Sequence, residues 1–348
     1  MNTHHYTIES QKVSIGFESM ERFLSSAQTW HAPLVYICDS NVCDYYPFLK
    51  KLSPVFFIEP SEEKKTLSTL ELLFHFFYEH EIDKSFTAII IGGGITCDIG
   101  ALASALWHRG IQHILVPTTL LSMTDAAIGG KTGVNFELKK NQVGTFYYPQ
   151  QIIIDISLLQ SLSYIEFRQG LAEIVKHAIG FNYDLFIQLE EEKVQKQLLS
   201  KQLPLDLLQN SIQTKISIIQ QDSNEKNIRK LLNIGHTVGH AIELTSHIKH
   251  GDAVALGMII ELNMSIEMGY ASKEIFSRLK RVIDVFQFPI ERSFSYTDLF
   301  HAVLHDKKRN TTELDFPVVT GIGKSQLLRI KMEQWGAILS NVLTSHEP

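Results

Sequence analysis

The order of apolar and polar positions divides the chain into two stretches of different character. Up to about Asp155, short runs of β-forming residues recur between more polar stretches that have helical spacing. The runs are PLVYICD, PVFFIEP, FTAIIIGGG, QHILVPTT and QQIIIDIS. Runs of this length at such intervals are typical of a mostly parallel sheet with helices between its strands. The first stretch is therefore predicted to be an α/β domain of the nucleotide-binding kind.

Beyond residue 163 the β-forming runs stop, and the apolar residues take up helical spacing. The segments FRQGLAEIVKHAIG, LPLDLLQNSIQTKISIIQQD, RKLLNIGHTVGHAIELTSH and AVALGMIIELNMSIEMGYAS all follow this pattern, which predicts amphipathic or buried helices. Near the end, DFPVVTGIGKSQLLRI predicts a small hairpin with Gly321 and Gly323 as turn residues. We expect an α/β domain over residues 1–158 and a mainly helical domain over residues 159–348.

Composition and charge limit the classes of molecule that the protein is expected to bind. The chain has 348 residues, of which 44% are hydrophobic and 20% charged, and this size favours two domains. A formal net charge of −6 gives no excess of Lys and Arg that would favour nucleic acid or an anionic membrane. No window approaches 18 uninterrupted apolar residues, and the first residues lack the pattern of a signal peptide. A cytoplasmic protein that acts on a small molecule is the expectation.

Cysteine usage agrees with a reducing compartment. Cys38, Cys43 and Cys97 have the spacing of neither a disulfide framework nor a zinc ribbon. We interpret them as buried thiols.

A glycine run after one predicted strand is the first candidate for chemistry. Gly92, Gly93 and Gly94 stand between the strand and a predicted helix, where bare backbone amides can bind a phosphate. The run lacks the GxGxxG spacing, and a purely structural strand-to-helix turn explains it about equally well. Further strand ends carry polar residues that could line the same crevice, namely Asp39, Asn41, Thr118 and Thr119.

The segment TDAAIGGKTGVNFELKKNQVG surrounds a second glycine pair with polar chemistry. Lys131 and Lys140 suit a phosphate, and Asp125 and Asn141 suit hydroxyl groups. The alternative is a basic loop in solvent, for which adjacent lysines are common.

Three histidines and one acidic helix suggest a metal centre. His236 and His240 are four residues apart, so a helix places them on one face, where two imidazoles can bind a divalent cation. His250 follows after a short turn, and a helix would project Glu173, Lys176 and His177 from one side. Core packing or surface exposure is the more frequent fate of an isolated histidine pair. The nearby third histidine and carboxylate favour the metal.

Taken together, the motifs resemble a known family. GGGITCD, VPTTLLSMTDAAIGGKTGVN, KNQVGTFYYP, GLAEIVKH, RKLLNIGHTVGHAIE and HGDAVALGM occur in this order. Together they are similar to the 3-dehydroquinate synthases, sugar-phosphate cyclases that share a two-domain plan with iron-dependent alcohol dehydrogenases. The resemblance covers roughly residues 39–324. It implies a Rossmann-like N-terminal domain and a helical metal-binding domain.

The resemblance implies two cofactors and assigns residues to them. A divalent metal, zinc or cobalt, is expected on Glu173, His236 and His250, while His240 becomes an acid/base group rather than a ligand and His177 a less favoured ligand. The positions that match the family's NAD site are Asp39, Asn41, Glu62, Lys65, Gly93, Gly94, Asp98, Thr118, Thr119, Asp125 and Lys140. Ser61 stands where the family usually has glycine, and the segment between His240 and His250 is short. Neither departure removes a required functional group, and both bear on loop conformation and cofactor affinity more than on the reaction.

The substrate implied by the resemblance is a phosphorylated sugar acid, 3-deoxy-D-arabino-heptulosonate 7-phosphate. The matching positions are Arg109, Lys131, Asn141, Lys176, Lys215, Glu225, Arg229 and Asn233, with one further lysine, Lys307 or Lys308. The product would be 3-dehydroquinate, formed in the shikimate pathway by transient oxidation with NAD, β-elimination of phosphate, re-reduction and aldol closure. A homodimer is the family expectation.

Three alternatives remain open. Another sugar-phosphate cyclase, of the 2-deoxy-scyllo-inosose or 2-epi-5-epi-valiolone synthase type, would use a substrate without a carboxylate, against which Lys215 and Arg229 argue. A metal-dependent polyol dehydrogenase would release NADH, against which the many lysines argue. A relative that binds cofactor without catalysis is disfavoured by the full set of metal and proton-transfer residues.

Overall fold

The protein was analysed as a computed structural model that describes residues 2–8, 10–137, 139–290, 294–306 and 312–344. Lys307 and Lys308 lie outside the described residues. The chain forms two compact units, residues 1–167 and residues 168–348. The division between residues 158 and 159 stays a prediction about the functional domains.

The first unit is an α/β structure. Its strands are β1 (Asn2–Ile8), β2 (Gln11–Phe17), β3 (Leu34–Asp39), β4 (Val55–Ile58), β5 (Thr87–Gly92), β6 (Gln112–Pro117), β7 (Val134–Phe136), β8 (Lys139–Val143) and β9 (Gln151–Ile154). Its helices are α1 (Met20–Ala27), α2 (Ser40–Tyr45), α3 (Leu67–Glu79) and α4 (Gly94–Leu106).

Seven strands of this unit form one sheet in the order β1-β2-β9-β6-β5-β3-β4, and only the pairing of β1 with β2 is antiparallel. The five predicted strand runs became β3, β4, β5, β6 and β9. Every residue of β5 is buried, as expected of a central parallel strand. The mostly parallel Rossmann-like sheet predicted from the sequence is therefore confirmed.

Four strands were not predicted. The hairpin of β1 and β2 adds an antiparallel edge to the sheet, and β7 and β8 form a small separate hairpin. All of β8 except Val143 is exposed, so no apolar run marks it in the sequence.

The second unit is mainly helical, as predicted. Its elements are α5 (Tyr164–Phe181, which begins before the boundary), α6 (Tyr183–Glu190), α7 (Glu192–Leu199), α8 (Leu205–Gln221), α9 (His236–Ser246), α10 (His250–Glu267), α11 (Lys273–Val285), α12 (Tyr296–Asp306), β10 (Glu313–Gly321), β11 (Lys324–Lys331) and α13 (Met332–Thr344). The hairpin of β10 and β11 is antiparallel and turns at Gly323, whose φ is +72°. Within the described ranges, every helix is too short or too polar to span a bilayer.

The histidine-bearing segment differs in one respect from its pattern. Helical spacing runs through residues 229–247, yet a 3₁₀ turn over Ile228–Asn233 ends before α9 begins at His236. Gly235 separates the two with a φ of +75°, a left-handed conformation that favours glycine. The break places His236 at the first position of α9.

Helices α9 and α10 approach each other closely because glycines line their contact. A Cβ on Gly257 would lie 2.0 Å from the Gly235 carbonyl oxygen, and one on Gly239 would lie 2.9 Å from the carbonyl oxygen of Ala253. A hydrophobic core that includes Trp335, Phe316 and Ile242 supports this pair. The histidines of both helices therefore stand on a rigid frame.

Candidate active site

In the first unit, the predicted polar residues gather at the carboxyl edge of the parallel sheet. Asp39 ends β3, Gly92 ends β5, and Thr118 follows β6, and these three strands are neighbours. From β3 the chain moves outward to β4 and then returns to β5 before continuing to β6, so the strand order reverses between β3 and β5. Open α/β sheets bind ligands in the crevice at such a switch point.

The glycine run opens helix α4 without a side-chain cap. Gly93 is the N-cap residue and has no side chain with which to cap the helix. A Cβ on Gly92 would lie 2.7 Å from Cβ of Thr96 and 2.9 Å from Cβ of Asp39, so only glycine fits there. A bare helix N-terminus beside two further glycines suits the pyrophosphate of a dinucleotide.

Asp39 is held at the end of β3 by the backbone that follows it. Its Oδ1 accepts hydrogen bonds from the amides of Asn41 (2.9 Å) and Val42 (3.4 Å) and so caps α2. Burial raises the pKa of Asp39, although those amides and the amide of Gly93 oppose the rise. Asn41 itself is exposed.

Lys65 links two other predicted residues, Asp98 and Asn141. Its Nζ lies 2.6 Å from Oδ2 of Asp98 and 2.6 Å from Oδ1 of Asn141. Burial raises the pKa of Asp98, and the Lys65 ammonium offsets part of that effect. Lys65 is buried, so the cluster is a fixed feature of this unit rather than a set of surface charges.

Asn135 extends this cluster, and no sequence motif singled it out. Its Nδ2 donates to Oε1 of Glu62 (2.8 Å), and its Oδ1 accepts from the amide of Asn141 (2.9 Å). Glu62 and Asn141 are thus tied together through one amide side chain.

Ser61, the predicted departure from the family, is accommodated without strain. Its φ of −116° is extended, which any residue adopts, and its hydroxyl accepts from the amide of Lys64 at 3.3 Å. The serine therefore caps the short turn that carries Glu62.

The other predicted residues of this unit differ in exposure. Asp125 lies in a π-helical turn over Ser122–Ala126, a form that is rare and concentrated at functional sites. Thr119 Oγ1 lies 2.9 Å from the Ser122 hydroxyl at the start of that turn. Of the predicted cationic residues of this unit, Arg109, Lys131 and Lys140 are exposed.

In the second unit, three predicted metal ligands converge. One donor atom from each of Glu173, His236 and His250 lies within 4.8 Å of the other two. Oε1 of Glu173 is 3.6 Å from Nε2 of His236 and 3.8 Å from Nε2 of His250. These separations are only slightly wider than the roughly 3.4 Å expected between tetrahedral ligands of zinc. The donor set fits a divalent cation.

The surroundings adjust the charge of each donor. Burial disfavours the ionised form of Glu173, but Lys176 and the two imidazoles outweigh it and hold the pKa of Glu173 well below its usual range. Burial and then Lys176 lower the pKa of His236, which keeps this imidazole neutral. For His250, the bonds to Glu173 and Glu243 overcome burial and raise the pKa to about 9.

His240 and Glu243 stand beside this triad. The ring of His240 is 5.2 Å from that of His236 and 6.0 Å from that of His250. Oε2 of Glu243 is 3.4 Å from Nδ1 of His250, so the carboxylate can orient that imidazole. Glu243 was not predicted, although its spacing of seven residues from His236 is a helical one. His240, Glu243 and His250 form a second group with metal-ligand spacing.

The remaining predicted residues of this unit are largely buried. Lys176 pairs with Glu173 one turn away, and Lys215 on α8 is 5% exposed. Arg229 is 2% exposed, and its Nη1 donates to the Ser223 carbonyl at 2.5 Å. Nδ2 of Asn233 lies 3.4 Å from Oε1 of Glu225.

His177 is engaged elsewhere. Its Nδ1 lies 2.8 Å from the hydroxyl of Ser211.

Comparisons with known proteins bear on the whole chain. A family model described as 3-dehydroquinate synthase N-terminal matches residues 55–169, and one described as 3-dehydroquinate synthase C-terminal matches residues 170–309. The chain is 35% identical over 337 residues to a 3-dehydroquinate synthase of Crocosphaera subtropica, with 92% of each chain covered. It is 38% identical over 274 residues to one of Rippkaea orientalis, with 77% of this chain and 75% of the relative covered.

Among solved structures, the fold is similar to that of 2-epi-5-epi-valiolone synthase from Streptomyces hygroscopicus, which was solved with NAD+ and Zn2+ bound. The TM-score is 0.85 at 24% sequence identity, with 98% of both chains covered. At this identity the likeness concerns the fold.

Proposed function

The chain belongs to the 3-dehydroquinate synthase family, and we propose that it converts 3-deoxy-D-arabino-heptulosonate 7-phosphate to 3-dehydroquinate and phosphate. The observation that carries the proposal is the triad of Glu173, His236 and His250, the first two of them buried, in the unit that the C-terminal family model matches. A carboxylate with two imidazoles suits zinc or cobalt and leaves positions for substrate hydroxyls.

We propose NAD as the second cofactor, held by the carboxyl edge of the sheet. The bare N-terminus of α4 at Gly93 and Gly94 would receive the pyrophosphate. The other proposed NAD residues are Asp39, Asn41, Glu62, Lys65, Asp98, Thr118, Thr119, Asp125 and Lys140. When bound, NAD+ would supply a hydride acceptor for C5 of the substrate and a donor for the later reduction, and the cation would supply a Lewis acid for the C4 and C5 hydroxyls.

His240 is the proposed acid/base. It stands one helical turn after His236, close to the triad but outside the pair of imidazoles that we assign to the metal. From there it takes the proton of the C5 hydroxyl as that carbon becomes a ketone. The ketone acidifies the hydrogen on C6, so the phosphate at C7 can leave by β-elimination. After C5 is reduced again, the ring opens and an intramolecular aldol step closes the carbocycle.

The charged residues bind and orient the two ends of the substrate. We assign Arg109, Lys131, Asn141 and Lys176 to the phosphate. Asn141 can donate from its amide nitrogen while its oxygen accepts from Lys65. Lys215, Arg229 and Asn233 are assigned to the carboxylate end, with Glu225 holding the amide of Asn233. Lys307, outside the described residues, is a further proposed substrate ligand.

We also propose that the enzyme is cytoplasmic and acts as a homodimer. All three cysteines are buried thiols, which agrees with a reducing compartment. Sedimentation of the purified protein would test the homodimer.

The activity is tested by supplying the proposed substrate with Zn2+ or Co2+ and a small amount of NAD+. Equal yields of phosphate and 3-dehydroquinate support the proposal. Accumulation of NADH in step with substrate loss would instead indicate a dehydrogenase.

A further inference from the structure

Helices α9 and α10 share an unusual feature at their first turns. Each begins at a proposed metal ligand, His236 in α9 and His250 in α10, and neither N-cap residue, Gly235 or Lys249, caps its helix with a side chain. The first amides of a helix need acceptors, and a buried helix end without them is destabilising. The acceptors for these two helices must come from other elements.

Glu261 supplies them for α9. It lies on α10 and is 2% exposed. Its Oε2 accepts from the amide of Gly235 at 2.6 Å, and its Oε1 accepts from the amide of Val238 at 2.9 Å. The two amides lie on either side of His236 in the sequence, so one carboxylate fixes the turn that carries this histidine.

Helix α10 is also capped by a side chain from another helix. Gln169 on α5 accepts through Oε1 from the amides of Gly251 (2.7 Å) and Asp252 (3.2 Å), next to His250. Helix α5 also carries Glu173. The three helices that bear the triad are thus joined in a chain of caps, from α5 to α10 and from α10 to α9.

Charge distinguishes Glu261 from a simple packing residue. Both of its oxygens accept from amide donors, and a carboxylate beside a helix N-terminus is favoured by the helix dipole. A glutamine of the same shape would turn its amide group toward one of those donors and lose that bond. The imidazole of His236 is oriented in turn, since its Nδ1 lies 3.1 Å from the Ile234 carbonyl and its Nε2 faces Glu173.

We propose that Glu261 is a positioning residue for the metal centre, which holds His236 in ligand geometry by capping α9 from the neighbouring helix. This inference rests on the proposed function, because it takes His236 as a metal ligand. Outer residues that orient a ligand typically account for about 10-fold to 100-fold in metal affinity.

The test compares Glu261→Gln with Glu267→Gln, an exposed carboxylate one to two turns later on the same helix. Zinc affinity is measured by competition with a chromophoric chelator, and the visible absorption of the cobalt-loaded protein reports ligand geometry. We expect Glu261→Gln to weaken zinc binding about 10-fold to 100-fold and to alter the cobalt spectrum, with Glu267→Gln like the wild type. Zinc affinity and cobalt spectrum unchanged in folded Glu261→Gln would overturn the inference, whatever its thermal stability.

Two further measurements keep the result decisive. If Glu261→Gln does not fold, amide hydrogen exchange in the metal-free wild type decides, because the amides of Gly235 and Val238 must already be protected. Rapid exchange at both would refute preorganisation by Glu261. His236→Ala separates this inference from the proposed function: if that variant binds zinc normally, the ligand assignment itself is wrong.

Discussion

At the scale of single residues, the triad and His240 have different proposed tasks. We assign the metal to Glu173, His236 and His250 and proton transfer to His240, which has metal-ligand spacing only in the second group, with Glu243 and His250. His240→Ala should therefore keep its metal and lose about 10²-fold to 10⁴-fold in kcat, the usual contribution of proton transfer. Metal analysis beside steady-state kinetics checks this prediction.

His250→Ala is the matched comparison for that variant. Removing one of three proposed ligands should deplete the metal, and added zinc should restore little activity. If His240→Ala were metal-depleted, or if His250→Ala were fully loaded with metal and active, the roles assigned to these two histidines would have to be exchanged.

Arg229 tests the proposed recognition of the substrate carboxylate. A guanidinium binds that planar group through two parallel hydrogen bonds, which lysine cannot copy. Arg229→Lys should therefore cost about 1.5 to 3 kcal/mol, roughly 10-fold to 100-fold in kcat/KM, with the heptulosonate phosphate. Because Arg229 also donates to the Ser223 carbonyl, the variant's thermal unfolding is measured beside its kinetics. An unchanged kcat/KM in a folded variant would remove Arg229 from the substrate site.

The sequence allowed the site residues to be proposed but not most of their bonds. The histidine spacing indicated a metal centre, and the resemblance to a family chose among the donors. Contacts such as Asn135 with Glu62 or Glu261 with Gly235 join residues 73 and 26 positions apart. These contacts depend on how the elements pack, so no local sequence pattern predicts them.

At the scale of elements, strand β6 carries a titratable group in the core. His113 is 1% exposed and stacks on Tyr147 with ring centroids 5.1 Å apart. Burial lowers its pKa to about 3. As the pH falls, His113 in the unfolded chain, with a pKa near 6.5, therefore becomes protonated, whereas His113 in the folded chain stays neutral.

Above about pH 6.5, His113 is neutral in both states and does not lower the free energy of unfolding. Between about pH 6.5 and about pH 3, its protonation in the unfolded chain lowers the free energy of unfolding by about 1.4 kcal/mol per pH unit. His113→Phe should reduce the acid slope of the free energy of unfolding by that amount, measured by urea denaturation from pH 7 to pH 4. His75→Phe, at an exposed position, is the control and should keep the wild-type slope. An identical slope in His113→Phe would show that His113 is not held neutral.

The contact of α9 with α10 gives a second prediction at this scale. A methyl group on Gly257 would meet the Gly235 carbonyl at 2.0 Å, whereas one on Gly321 would meet ordinary contacts at 3.7 Å. Gly257→Ala should lower the free energy of unfolding by about 1 to 3 kcal/mol or more and reduce bound metal. Chemical denaturation and metal analysis check this, with Gly321→Ala as the control. Wild-type metal content in Gly257→Ala would mean that close helix packing is not needed for the site.

Elements with their own apolar signature could be predicted, and those that depend on partners could not. The five core strands are continuous apolar runs. The exposed β8 is recognisable only through its pairing with β7. The close packing at the break before α9 also depends on a partner, because a Cβ on Gly235 would lie 2.7 Å from the Val254 carbonyl oxygen and 2.6 Å from Cγ of Met258 on α10.

At the scale of the whole molecule, both units belong to one family, since the two matches together span residues 55–309. The first unit has the sheet edge that we propose as the dinucleotide site, and the second has the donor atoms that we propose for the metal. A dehydrogenase could use both. In the proposed reaction, unlike that of a dehydrogenase, the hydride returns to the substrate and phosphate departs.

The most direct measurement supplies the purified protein with the heptulosonate phosphate, Zn2+ or Co2+, and NAD+ at a small fraction of the substrate concentration. We expect complete conversion to 3-dehydroquinate, one phosphate released for each product molecule, and no lasting rise in NADH absorbance. We also expect poor turnover of sedoheptulose 7-phosphate, which lacks the carboxylate. Turnover that stops when the NAD+ is spent would contradict the proposed reaction, and so would more efficient cyclisation of sedoheptulose 7-phosphate than of the heptulosonate phosphate.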